Sequence, residues 1–317
     1  MNSISNKGIS VIVPFLNEED GIGSFCERFD QFVSSLAFPV ELVFVDDGST
    51  DTTSLKIGQF LFAHVKKVIL VQLSKNYGSH AAIRAGLTRA SYDICTWMGC
   101  DLQEPFNLIP ISYKRITEEG YDAVYVEKKS VGVSKFNRLF SKAYSFLMRK
   151  YAISSYASGG TSTIVFNSKI KDFLNENIES NSSVILQVMD AGFKYCCISM
   201  DFGMREFGKS KWTLSKKIKL FIDSFVAFSY MPIRLVSIVG ILLFGAGVIL
   251  GIIIVVNRIV NPLVPMGYST LTSIMAVGFG MTNISIGILA EYLWRTFDAA
   301  RNRPTFLITD EKVVKGE

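Results

Sequence analysis

The chain has 317 residues, a net charge of +5, 49% hydrophobic residues, five cysteines and two histidines. The positive excess is too small and dispersed for nucleic acid and fits a phosphate-handling or membrane-facing protein. An odd set of cysteines with no CxxC pair argues against a disulfide framework or structural zinc and places the head in a reducing compartment, while His64 and His80 alone do not make a Ser-His-Asp hydrolase or a histidine metal centre.

The polar N-terminus has no apolar run before a cleavage site, so no signal peptide is expected. Ile9–Pro14 is a β-branched apolar run and reads as a strand. Glu41–Val45, Val68–Leu73, Ile94–Met98 and Ala123–Val126 read the same way. Helical patterns lie between them at about Gly21–Leu36, Thr52–His64 and Ser79–Arg89. Apolar strands alternating with helices predict an α/β domain with a Rossmann-like, mostly parallel sheet covered on both faces. Ligands of such sheets bind beyond the carboxyl ends of the strands. Polar motifs follow those ends: Pro14, Asn17 and Glu18 after the first, Asp46 and Asp47 after the second, Asn76 after the third, Asp101 and Gln103 after the fourth.

Residues 135–151 are basic and aromatic at helical spacing, and 213–231 repeat that character, so both are expected to lie as amphipathic helices at a membrane interface. The segments 233–256 and 268–294 are each long and apolar enough to cross about 30 Å of hydrocarbon. Lys209, Lys211, Lys216, Lys217 and Lys219 precede the first, and Arg295, Arg301 and Arg303 follow the second. Cationic flanks belong inside, which predicts a multi-pass inner-membrane protein with a cytoplasmic head (1–212) and a cytoplasmic tail (296–317) around a two-helix hairpin (232–295). Small and polar residues in the second span, among them Gly278, Gly280 and Asn283, point to helix–helix contacts and a homo-oligomer.

Carboxylates at strand ends suit a sugar nucleotide, whose base and ribose donate hydrogen bonds. A carboxylate and an amide oxygen together suit a hard divalent cation, which neutralises a diphosphate leaving group. If the stretch is extended, Asp101 and Gln103 point the same way. Taken singly, each motif also reads as a plain turn or helix cap.

The ordered pieces VPFLNEE, FVDDGSTD, SKNYGSHAAIRAGL, CDLQEP, MREFGKSKW and FSYMPIRL resemble the family 2 glycosyltransferases of GT-A fold. Nearly end to end, the chain resembles the polyprenyl-phosphate glycosyltransferases, a group that includes dolichol-phosphate mannose synthase and bactoprenol-phosphate glucosyltransferase. The resemblance implies inverting transfer of a hexose from a nucleotide sugar, a UDP-hexose, to a membrane polyprenyl phosphate such as undecaprenyl phosphate, with Mg²⁺ or Mn²⁺. It implies that Pro14, Asn17, Glu18, Asp46, Asp47 and Asn76 serve the nucleotide and that Asp101 and Gln103 ligate the metal. It further implies that Arg205 closes over the diphosphate and that Arg138, Ser141, Lys129 and Lys211 meet the acceptor phosphate.

Three departures stand out. The family usually reads Asp-x-Asp-Leu-Gln where this chain has Gly99-Cys100-Asp101-Leu102-Gln103, and Gly-Asp-Phe-Arg-Leu where it has the Ser158–Thr163 stretch. A common arginine before the basic helix is Lys128 or Lys129. The missing carboxylate at Gly99 supports an alternative, a catalytically weak or inactive membrane-anchored nucleotide-sugar-binding scaffold of the same fold.

Overall fold

The computed structural model describes residues 7–128, 161–179, 183–203, 268–301 and 303–316, with scattered positions from 146 to 260. The chain divides into two compact units, residues 1–224 with 304–317, and residues 225–303.

The first unit is built on one mixed sheet in the order β7-β5-β6-β4-β1-β2-β3-β8. Its strands are β1 (Ile9–Phe15), β2 (Val40–Asp46), β3 (Lys67–Leu73), β4 (Ile94–Trp97), β5 (Ala123–Lys128), β6 (Thr161–Phe166), β7 (Tyr195–Met200) and β8 (Ile308–Lys315). β1 pairs in parallel with β2 and β4, and β2 with β3, so these four carboxyl ends share one edge. β6 runs antiparallel between β4 and β5, and β7 lies parallel to β5. The ends of β5 and β7 and the start of β6 therefore reach the same edge. Six of the eight strands run the same way, as the sequence predicts, and β6 and β8, which come from outside the strand–helix alternation, run against them and make the sheet mixed.

Helices cover both faces, which is why β1 and β2 are buried along almost their full length. α1 (Ile22–Val33) buries Phe25, Cys26, Phe29 and Val33 at helical spacing. Phe25 and Phe29 stack at 5.5 Å and meet Phe106 edge-on. Each such buried ring contributes about 1.5–3 kcal/mol. α3 (Ser79–Leu87) turns Ala81, Ala82, Ala85 and Gly86 inward, and these small residues let it lie close on β1 and β2.

α2 (Thr53–Gln59) ends five residues before the predicted stop. The backbone turns extended at Phe60 so that Phe62 can reach Phe44. The buried Asp30 carboxylate then accepts the amides of Ala63, His64 and Val65 at 2.9 Å each. α4 (Leu108–Thr117), α5 (Ser168–Glu176) and α6 (Val184–Asp190) complete the layers, with the Asn167 side chain capping α5.

Of the predicted tail, residues 304–317 belong to the first unit, while 296–300 continue the helix of the second. β8 pairs antiparallel with β3, Arg89 meets Glu311 at 2.6 Å, and Lys315 donates to the Phe62 and Ala63 carbonyls. In the second unit, α7 (Tyr268–Ala300) covers the second predicted span and runs beyond it. Most of 233–256 lies outside the described residues. Among the described residues no helix is long and apolar enough to cross a membrane.

Candidate functional site

The strand order reverses between β1 and β4: β2 and β3 lie on one side, β4 and β6 on the other. Such a switch point opens a crevice at the carboxyl edge. The loops that flank it carry the predicted motifs.

The loop after β1 is sewn to the loop after β2. The Asn17 amide N–H donates to Ser49 Oγ at 3.0 Å, and Asn17 Oδ1 accepts the Thr50 amide at 2.8 Å. The Glu18 amide donates to Thr53 Oγ1, and Glu19 Oε2 accepts the Thr52 hydroxyl at 2.7 Å. Asn17 has a φ of 50°, a left-handed turn that asparagine tolerates. Pro14 is placed one residue inside the end of β1, opposite Val45.

Asp46 and Asp47 are both buried. Asp46 accepts the Ser49 amide at 2.7 Å and the Ser54 hydroxyl. Asp47 accepts the amides of Tyr77 and Gly78 at 2.7 and 2.9 Å, which ties the loop after β3 to the loop after β2. Burial pushes the Asp47 carboxyl above the usual range. The two amides pull it back and the neighbouring Asp46 pushes it up again. Gly48 has a φ of +80°, and a Cβ there would lie 2.7 Å from the Lys75 carbonyl carbon. Only glycine lets the acidic turn approach the Asn76 backbone so closely. Asn76 itself is exposed.

The stretch after β4 is a turn and not extended, with Leu102 left-handed at φ 58°. Asp101 Oδ1 accepts the Gln103 amide at 3.3 Å, so the two side chains are related by an Asx-type turn and not by strand alternation. Cys100 packs in the core, which assigns it no chemistry.

Glu104 was given no role by the sequence. Its Oε2 accepts the Gly99 amide at 2.9 Å and its Oε1 accepts the Thr163 hydroxyl on β6. Burial pushes its carboxyl up to about 7, against the pull of Thr163 and Gly99, and the charge of Asp101 adds to the rise. The available signal was a carboxylate one residue beyond Gln103 in a chain that lacks one at position 99.

Among the described residues no group of three His, Cys, Asp or Glu side chains could hold a metal ion. The donor chemistry of the turn nevertheless fits a hard cation. Mg²⁺ is commonly held by one or two carboxylates with substrate phosphate oxygens and waters; Asp101 supplies one carboxylate and Gln103 a neutral amide oxygen. The Gln103 carbonyl accepts the Gly203 amide at 2.8 Å, which fixes the chain after β7 beside this turn. Lys128, at the end of β5, lies over the Phe202 ring at 5.6 Å. Lys129, Arg138, Ser141, Arg205 and Lys211 lie outside the described residues.

The structure thus brings Pro14, Asn17, Glu18, Asp46, Asp47, Asn76, Asp101 and Gln103 to one edge. Asn17, Asp46 and Asp47 hold loops there.

Comparison with known proteins gives consistent matches. An undecaprenyl-phosphate 4-deoxy-4-formamido-L-arabinose transferase of Proteus mirabilis is 29% identical over 96% of this chain and 94% of its own. The protein of the same description from Yersinia enterocolitica is 28% identical over 98% and 95%. Among solved structures, glucosyl-3-phosphoglycerate synthase of Mycobacterium tuberculosis, in complex with Mn²⁺, UDP-glucose and phosphoglyceric acid, is 18% identical. It aligns over 69% of this chain and 78% of its own, with a TM-score of 0.49. A mannosyltransferase of Pyrobaculum calidifontis, in complex with GDP-mannose and Mn²⁺, is 18% identical over 62% and 56%, with a TM-score of 0.42. The model of glycosyl transferase family 2 matches residues 10–184, more than half of the chain, and the chain belongs to that family: it is a glycosyltransferase with a GT-A-like α/β head.

Proposed function

We propose that this glycosyltransferase moves a sugar from a nucleoside diphosphate donor to the phosphate of a membrane polyprenol, with inversion at the anomeric carbon, and so supplies cell-surface glycan modification. The observation that carries the reading is the convergence of four motif-bearing strand ends on the β1/β4 crevice. Relatives that match almost end to end, and are described as undecaprenyl-phosphate sugar transferases, support it.

The roles follow from the chemistry. The loops bearing Pro14, Asn17, Glu18, Asp46, Asp47 and Asn76 form the nucleotide floor, with the acidic side chains ordering the backbone that meets base and ribose. Asp101 and Gln103 hold Mg²⁺ or Mn²⁺, which when bound neutralises charge on the departing diphosphate. Arg205 closes over the diphosphate, and the Gly203–Gln103 bond two residues earlier supports that placement. Arg138, Ser141, Lys129 and Lys211 receive the acceptor phosphate. A phosphomonoester has a second pKa of about 6, so at neutral pH the acceptor is already a dianion and needs no dedicated base. Catalysis then rests on positioning and charge stabilisation in a site closed to water.

The acceptor calls for a membrane anchor, and residues 232–295 are proposed as its two spans. In α7, Leu271, Phe279, Ile284, Leu289 and Leu293 are all more than half exposed, a surface suited to lipid. Gly203, the last described residue after β7, and Leu307, whose carbonyl accepts the Ser74 amide before β8, frame the segment that carries the proposed spans. Both points lie on the motif edge, and a segment that starts and ends on one domain crosses a bilayer an even number of times. The basic segments 135–151 and 213–231 then lie at the cytoplasmic interface.

The test is transfer by the full-length protein in liposomes containing undecaprenyl phosphate. The labelled donors are UDP-glucose, GDP-mannose and UDP-4-deoxy-4-formamido-L-arabinose, each with and without chelator. The expected result is chelator-sensitive label in the lipid phase from one donor, which also decides between the hexose and the relatives' sugar. Hydrolysis exceeding transfer, or no labelled lipid from any donor with folded protein, would overturn the reading. The second outcome would favour the scaffold.

A further inference from the structure

The turn after β4 carries the two proposed cation donors, yet little of the sheet holds it. The β4–β6 ladder consists of the Cys95–Phe166 and Thr96–Val165 pairs, and the next tie on the β1 side is the Met98 amide to the Ile12 carbonyl. Beyond Met98, the carboxylate of Glu104 spans from the Gly99 amide to the Thr163 hydroxyl and joins the two ends of the turn to β6. Gly99 is part of the same arrangement. A Cβ there would lie 3.1 Å from Asp101 Oδ1, so any side chain at this position crowds the carboxylate that the turn presents.

We propose that Glu104 is a positioning residue: bridging Gly99 and Thr163, it sets Asp101 and Gln103 to receive the divalent cation of the donor complex. The proposal rests on the reading in which Asp101 and Gln103 hold that cation. Glu104 acts through the turn backbone. Thr163 acts through Glu104, which links a stretch of unusual sequence on β6 to the diphosphate end of the site. The Gly99 amide can only donate, and the Thr163 hydroxyl donates to the second carboxylate oxygen in the structure. Glutamine keeps the shape but has one acceptor oxygen, so the Thr163 hydroxyl must turn round and accept from its N–H, which changes the bridge. Groups that orient metal ligands from behind typically change metal affinity 10- to 100-fold when altered.

The experiment is a Mn²⁺ titration of the full-length protein in detergent with UDP present, following the free Mn²⁺ signal by electron paramagnetic resonance, with a thermal melt of each variant. Glu104→Gln and Thr163→Val should each weaken Mn²⁺ binding by about tenfold. Thr163→Ser, which restores the hydroxyl, should stay within about twofold of wild type, and the double variant should bind no more weakly than Glu104→Gln alone. If Glu104→Gln does not fold, Thr163→Val carries the same comparison with the carboxylate intact. Wild-type Mn²⁺ affinity in folded Glu104→Gln or Thr163→Val would overturn the proposal and leave the cation reading standing. Absence of UDP-dependent Mn²⁺ binding by the wild type would overturn the cation reading of Asp101 and Gln103, and the proposal with it.

Discussion

Asp30 and Asp47 are buried carboxylates whose partners are backbone amides. Asp30 holds three consecutive amides where the chain leaves α2, and replacing it with alanine strands those donors in the interior. We expect Asp30→Ala to cost about 2–4 kcal/mol in a denaturant titration; a loss below about 0.5 kcal/mol would show that water replaces the carboxylate. His80 gives a pH signature. Burial, with Arg84 adding, lowers its pKa from 6.5 to about 4. The unfolded chain therefore takes up this proton at higher pH than the folded one. The stability involved is present in full above pH 6.5 and is lost as pH falls toward 4, on the order of 3 kcal/mol. Melting curves of His80→Gln should lose less stability than wild type across that interval; parallel losses would rule His80 out. At this scale the placement of Asp46, Asp47 and Asp101 at the carboxyl edge was legible because each follows an apolar strand run. Glu104, Thr163 and Asp30 were not, since their partners lie as far as 59 residues away in sequence.

Five strands and three helices of the alternating half were readable from runs of β-branched residues and from helical spacing. β6, β7 and β8 were not. β7 lies at one sheet edge and exposes alternate residues, and β8 lies at the other and is polar on most positions, so neither shows the continuous apolar run of a doubly covered strand. What β8 does is cover β3, whose Val68, Ile69, Leu70 and Val71 are buried. An uncovered apolar edge invites pairing between chains. Removing residues 304–317 should lower the melting midpoint by roughly 5 °C or more and promote association in light scattering. An unchanged midpoint would mean that β3 is closed without β8. The Arg89–Glu311 pair is about one-third exposed at each end, so Arg89→Ala alone should cost under about 1 kcal/mol.

For the molecule as a whole, the described part of the first unit gathers the motif-bearing loops, the end of β7 and the start of β8 at one sheet edge. In the proposed reading that edge receives a soluble donor and a lipid acceptor. The order of motifs already suggested it. The turn geometry around Asp101 and the Glu104 bridge required the fold, because they depend on how β6 returns beside β4. The most direct test compares wild type with Asp101→Ala, as full-length protein with undecaprenyl phosphate and the donor selected by the panel, by counting label in the butanol phase. The account predicts a loss of at least about 100-fold in Asp101→Ala with an unchanged melting curve. Transfer by Asp101→Ala within about threefold of wild type, roughly 0.7 kcal/mol in barrier, would contradict it.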